Sequence, residues 1–296
     1  MVKKSEEDTI VYVNGKFVKK SLAFISVYDS GFMHGDGVYE GIRVYQGKAF
    51  MLEDHIKRLF ESAKTIDIDI GITQEEMKKI VIDSVKANKI RDNVHIRLMV
   101  TRGEKIVSGM NPKYNIGEAS IVVLYDYKPP IYNKSGVKLI TSTLRRAAPY
   151  FLDPKIHSMN QLNQIMASIE ANRQGADEAI MLDINGFVAE TNGTTIFMVK
   201  DDIFLTPTID YILAGITRKY LIELAKEKGY KVIERNISIS EFYNADEVFI
   251  CGTVGEVVPV SEIDGKKIGE RVPGKYTNWL MHEYKKLTSE MGTPVE

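Results

Sequence analysis

Short apolar runs alternate with amphipathic segments through the first third of the chain. IVYVNGKFV (10–18) is two strand-like runs around Asn14-Gly15, a dipeptide suited to a tight hairpin. VYEGIRVYQGKAFML (38–52) repeats the arrangement around Gln46-Gly47. Ile56, Leu59, Phe60 and Ala63 then recur at helical spacing. Thr73 with Glu76 forms a capping box, and Met77, Ile80, Val81 and Val85 supply the apolar face behind it. VHIRLMVTRG (94–103) and ASIVVLYDYK (119–128) read as strands.

KPPIYNKSG (128–136) is the expected linker, because paired prolines favour extended chain and the flanks are polar. It divides the chain into a small N-terminal α/β domain (1–127) and a larger C-terminal α/β domain (137–296). The second part opens on the strand VKLITSTL, and Leu162, Ile165, Met166 and Ile169 predict a helix ending near Gly175. EAIMLD and FVAET flank a hairpin at 183–186, and TIFMV and IFLTP follow as strands. Gly215-Ile216-Thr217-Arg218 opens a helix closed by Gly229. VIERNIS, SEFYNA and EVFICGT are expected to complete the sheet, and KYTNWLMHEYKKL to form a last helix. The fold class is α+β, with clustered hairpins rather than strict strand–helix alternation.

Charge adds little specificity. The 39 basic and 40 acidic residues nearly cancel, and no basic stripe marks a nucleic-acid or membrane surface. Cys251 is the single cysteine, so no intramolecular disulfide forms and a reducing, cytoplasmic setting is expected. MVKKSEEDTI carries charge without an apolar stretch behind it, unlike a secretory signal, and no apolar run approaches spanning length.

Several segments could carry chemistry, each weakly. Gly35-Asp36-Gly37 and Gly41 are followed by a strand pattern where a dinucleotide loop needs a helix, so they read as sites of tight turning and close approach. Ile216 and Thr217, at a helix start, could cradle an anion, although a threonine there is more often an N-cap. Gly252-Thr253 after EVFICGT offers a second such cradle. Taken alone, Arg58 and Glu190 are surface charges, and His157 is a polar residue near a helix start.

In order and together, these segments resemble the class IV (fold-type IV) pyridoxal-phosphate (PLP) aminotransferases, closest to the branched-chain group. The stretches that carry the resemblance are GDGVYEGIRVY (35–45), EDHIKRLFESAK (53–64), HIRLMVTRG (95–103), EANRQGADEAIMLDINGFVAET (170–191), LAGITR (213–218) and YNADEVFICGTVGEVVPV (243–260). The resemblance implies a D-amino-acid-aminotransferase-like fold, a homodimer or higher homo-oligomer, and amino-group transfer between a branched-chain amino acid and 2-oxoglutarate. It assigns the cofactor phosphate to Arg58, Ile216, Thr217 and Thr253, and the pyridine nitrogen to Glu190. It places Tyr39, Arg97, His34 and His95 around the substrate, an amino acid or keto acid.

One position breaks the pattern. Where relatives carry the cofactor lysine, this chain has His157, and the tyrosine near the cofactor's phenolic oxygen is Gln161, within His157-Ser158-Met159-Asn160-Gln161-Leu162-Asn163. That lysine links the cofactor and moves a proton. Histidine cannot hold a stable covalent link, but an ordinary pKa of roughly 6.5 suits proton transfer. Lys155 is two residues away, roughly 6–7 Å along an extended chain, too far to substitute.

The expected cofactor is therefore PLP held without a covalent bond, with family chemistry impaired or altered. The alternatives are other chemistry on a phosphorylated ligand with His157 as general base, and a non-catalytic relative acting in an assembly. Three of the five histidines (His34, His95, His157) fall on active-site positions of the family, but a metal site needs converging ligands, and none is expected.

Overall fold

Asn14 and Gly15 take φ of 44° and 86°, and Gln46 and Gly47 take 47° and 77°. These left-handed pairs close both hairpins with a twist that suits antiparallel strands. The structure is a computed structural model that describes residues 9–89, 91–129, 132–133 and 135–295. Pro130, Ile131 and Lys134 of the expected linker lie outside the described residues.

The chain forms two compact units. The first comprises residues to Pro129, then Ile156–Gln161 and Thr288–Glu296; the second comprises Pro130–Lys155 and Leu162–Leu287. A linear split at a linker does not capture this, because two later segments return to the first unit.

In the first unit the strands are β1 (Ile10–Val13), β2 (Lys16–Lys19), β3 (Gly37–Tyr45), β4 (Lys48–Ala49), β5 (Val94–Thr101) and β6 (Ser120–Tyr127). With the closing strand Thr293–Pro294 they form one sheet in the order Thr293–Pro294, β4, β3, β5, β6, β1, β2. The helices are α1 (Ser30–His34), α2 (Leu52–Thr65) and α3 (Gln74–Lys86). Side chains alternate along β3, so Val38, Ile42 and Val44 share one face and pack with Leu52, Ile56, Leu59 and Ala63 of α2 and Met77, Val81 and Val85 of α3. Burying each large apolar side chain contributes roughly 1.5–3 kcal/mol. Thr73 and Glu76 close the expected capping box at the start of α3.

The second unit holds β7 (Val137–Arg145), β8 (Glu178–Leu182), β9 (Val188–Thr191), β10 (Thr195–Lys200), β11 (Ile203–Thr206), β12 (Val232–Glu234), β13 (Glu247–Gly252) and β14 (Glu256–Ile263). Their order is β12-β11-β10-β13-β14-β7-β8-β9, with Lys266–Lys267 paired to β14. The β11–β12, β14–β7 and β7–β8 pairs are parallel and the others antiparallel, so the sheet is mixed. The helices are α4 (Pro149–Leu152), α5 (Leu162–Arg173), α6 (Ile216–Glu227), α7 (Ile239–Tyr243) and α8 (Lys275–Glu290).

One expectation fails here. SEFYNA is not strand: Ser238 and Glu241 form a capping box, and Phe242 is fully buried on the short helix α7. α5 forms as expected, but its apolar stripe does not pack inward. Leu162, Ile165, Met166 and Ile169 are 63%, 52%, 46% and 42% exposed, while Ala167 and Ala171 lie against Ile140, Ala179 and Met181. The small alanines let the helix axis approach the sheet closely.

Candidate functional site

β4 covers only the Val44–Tyr45 end of β3, leaving the Gly37–Tyr39 edge open. Residues 157–159 fill it. Tyr39 N donates to His157 O at 2.9 Å, Met159 N donates to Gly37 O at 2.8 Å, and Val38 bridges Ser158. A Cβ at Gly37 would lie 2.7 Å from Val100 O and 2.8 Å from Met159 Sδ, so only glycine admits this pairing. The segment carrying His157 is thus a short added strand, further tied by His157 N donating to Ser62 Oγ of α2 at 3.2 Å.

The His157 side chain meets Glu40. Its Nδ1 is 3.2 Å from Glu40 Oε1, and its ring centroid is 4.0 Å from that of Tyr39. Glu40 sits between Val38 and Ile42 on the helix-covered face of β3 and is fully buried. Arg58 neutralises it with two bonds of 2.7 Å, from Nε to Oε1 and from Nη2 to Oε2, and His55 Nδ1 is 2.7 Å from Oε2. Burial opposes the charge on Glu40, but Arg58 and the two histidines hold its carboxyl well below the usual range. Burial likewise holds the His157 imidazole below its ordinary pKa, against the pull of Glu40.

Tyr39, Arg97 and His95 share the opposite face. The β3–β5 register pairs Tyr39 with Met99, Gly41 with Arg97 and Arg43 with His95. Arg97 lies over the Tyr39 ring, its guanidinium carbon 4.0 Å from the centroid. A Cβ at Gly41 would stand 3.0 Å from His95 Nε2, so glycine makes the room for that ring. Burial, with Lys128 and Arg43 nearby, lowers the His95 pKa to about 4. His34 is elsewhere, at the end of α1, with Nε2 3.2 Å from Gly109 O. No cluster of three metal-ligating side chains occurs among the described residues.

In the second unit, Glu190 is buried on β9. Arg146 Nη2 stands 2.6 Å from its Oε1, and the Leu213 N–H also donates to the carboxylate. Burial pushes the Glu190 carboxyl up, while Arg146 pulls it back. Leu213 is three residues before Ile216, the first residue of α6, so the two points are at most about 11 Å apart along the chain. Thr217 does not cap this helix: Gly215 is the N-cap and makes no side-chain cap bond.

A Cβ at Gly215 would meet Thr195 Oγ1 at 3.3 Å, and one at Gly252 would meet Thr194 Cγ2 at 3.5 Å. The start of α6 thus lies beside Thr195, and Gly252 beside Thr194, and the backbone N–H groups of a helix start are suited to a phosphate. Glu178 accepts from the hydroxyls of Tyr132, Thr191 and Thr194. The residues present fit a phosphorylated pyridine: hydroxyls and helix-start N–H groups for the phosphate, and a buried carboxyl for the ring nitrogen.

Of the other expected residues, Gln161 donates from Nε2 to Ser158 O at 2.6 Å. Lys155 has a 41% exposed side chain whose Nζ is 3.9 Å from Asp153 Oδ1. Sequence reading missed Glu40, His55 and Arg146. Glu40 had a legible signal, a carboxylate at an inward position of the alternating GVYEGIRVY strand. Arg146 had none, since its partner is distant along the chain.

Comparison with known proteins gives the family. Residues 37–263 match the family model for amino-transferase class IV. The chain is 47% identical over 287 residues to branched-chain-amino-acid aminotransferase-like protein 2 of Arabidopsis thaliana, covering 97% of this chain and 51% of that protein. It thus spans about half the length of that relative, but 98% of a putative branched-chain-amino-acid aminotransferase of Methanocaldococcus jannaschii, to which it is 43% identical across 96% of its own length. A crystal structure of the branched-chain aminotransferase from Thermoproteus uzoniensis with norvaline superposes at a TM-score of 0.90 and 32% identity, over 97% of this chain and 99% of that one. The branched-chain amino acid aminotransferase from Thermobaculum terrenum, in its PLP-form (holo-form), gives 0.86 and 29%, over 96% and 94%. The chain belongs to the class IV aminotransferases, in the branched-chain aminotransferase-like group, and has their fold-type IV architecture.

Proposed function

We propose that this chain binds PLP without a covalent link and transfers amino groups between a branched-chain amino acid and 2-oxoglutarate, more slowly than a lysine-bearing relative. The observation that carries the cofactor is the second unit's own geometry, a helix start with no side-chain cap bond within three residues of a backbone donor to Glu190. Ile216, Thr217 and Thr253 would hold the phosphate, and Glu190 the ring nitrogen. Arg58 and Gln161 complete the set that the family resemblance assigns. PLP supplies a ring that accepts the electron pair released at the substrate α-carbon.

The protein's part is placement and proton handling. Glu190, with its raised proton affinity, is suited to share a proton with a ring nitrogen. Arg97 gives the Tyr39–His95 face a fixed positive charge for a substrate carboxylate, while His95 stays neutral near pH 7. His157 stands at the family's lysine position, where it takes and returns the α-proton but offers no amine.

The same resemblance assigns a homodimer. Phe24, Phe32 and Met110, exposed by 77%, 74% and 84%, are apolar surface that a second copy would cover. Among the described residues no helix is long and apolar enough to cross a membrane, and a cytoplasmic setting is proposed on the sequence grounds above.

Absorption spectra before and after borohydride test the cofactor reading, with sedimentation for the assembly. Bound PLP that resists reduction supports it, as does slow amino transfer from leucine in a single turnover. A chromophore that borohydride fixes to a lysine overturns it.

A further inference from the structure

The Glu40 carboxylate has no unused lone pair. Oε1 accepts from Arg58 Nε at 2.7 Å and lies 3.2 Å from His157 Nδ1, while Oε2 accepts from Arg58 Nη2 at 2.7 Å and lies 2.7 Å from His55 Nδ1. An ionised carboxylate only accepts, so each imidazole must donate at Nδ1. A neutral ring protonated at Nδ1 has its lone pair on Nε2.

The two histidines make the same contact but differ in access. The His55 side chain, on α2, is only 2% exposed. The His157 side chain keeps 14% of its surface. Its backbone is pinned on both sides by the pairing with β3 and by Ser62 Oγ, and its ring rests against Tyr39. With main chain, ring plane and Nδ1 all constrained, the ring has one orientation left.

We propose that Glu40 is a positioning residue: it selects the Nδ1–H tautomer of His157, so that Nε2 is the atom that accepts and returns the substrate proton. Arg58 keeps Glu40 ionised inside an apolar core and so belongs to the same device. The catalytic meaning rests on the function proposed above, whereas the tautomer does not.

Long-range proton–nitrogen correlation spectra of the histidine rings in the intact, ligand-free chain at neutral pH decide it, with the His157 signals identified by their loss in His157→Asn. The expected spectrum has a protonated Nδ1 and an unprotonated Nε2. A ring protonated at Nε2, or at both nitrogens, overturns the proposal. In Glu40→Gln the Nδ1–H preference is expected to weaken, and single-turnover proton transfer to fall about hundredfold or more. Glu40→Asp keeps the charge and is expected to retain the tautomer, and where Glu40→Gln fails to fold the wild-type spectrum decides alone. An Nδ1–H ring in a chain that transfers no amino groups supports the positioning and counts against the function. Amino transfer by a chain whose His157 is protonated at Nε2 does the reverse.

Discussion

Arg146 brings Nη2 to 2.6 Å from Glu190 Oε1, with both side chains keeping less than a tenth of their surface. Two buried charges in this geometry stand or fall together, because losing one leaves the other desolvated and unpaired. Arg146→Met is therefore expected to destabilise by roughly 3–5 kcal/mol in urea unfolding. The deficit has a sign in pH. Without Arg146, burial raises the folded pKa of Glu190 further above its unfolded value, so the variant loses stability as pH rises through that interval. Unfolding at pH 5 and pH 7 should show the larger deficit at pH 7.

Thr217 lies in the first turn of α6 with 5% exposure, and its hydroxyl is not used as a cap. If that hydroxyl serves a phosphate, Thr217→Val should weaken PLP binding about 10–100-fold, the worth of one hydrogen bond to a charged group. Titration followed by absorbance gives the number, and unchanged affinity would remove Thr217 from the cradle.

His95 sets an acid limit on stability. Its folded pKa of about 4 lies below the ordinary 6.5, so the unfolded chain takes up a proton first as pH falls. The stability that neutral His95 contributes is present above about 6.5 and lost as pH falls towards 4, roughly 3 kcal/mol in all. His95→Gln should flatten that part of the stability–pH curve, and a curve of unchanged slope would contradict the assignment.

Lys105 is buried to 2% exposure, its Nζ 2.9 Å from Asn115 Oδ1 and 3.2 Å from Asn111 O. It acts as a strut under the 106–116 loop. Lys105→Met removes the donor to both acceptors, and amide exchange should quicken from Ile106 to Ile116. Exchange that quickens equally across the chain would instead mean global loss of stability.

The Asn14-Gly15 and Gln46-Gly47 hairpins, the Thr73–Glu76 box and the α2 face were all legible, because turn chemistry and apolar periodicity act over a few residues. The same rules read SEFYNA as strand and missed the Ser238–Glu241 box that makes it α7. Local pattern also could not say where the α5 stripe goes: the spacing of Leu162, Ile165, Met166 and Ile169 predicts a helix whichever way that face turns, and here it turns outward.

By itself, the sequence determined the family through ordered motifs, and it marked position 157 as histidine. Only the tertiary structure decided what that histidine touches. Glu40, Arg58 and His157 are separated by up to 117 positions, and nothing local links them. They meet because β3 leaves its Gly37–Tyr39 edge unpaired and residues 157–159 satisfy those backbone groups. A carboxylate placed inward on that strand must then be neutralised where it is buried, so long-range pairing and desolvation together built the contact.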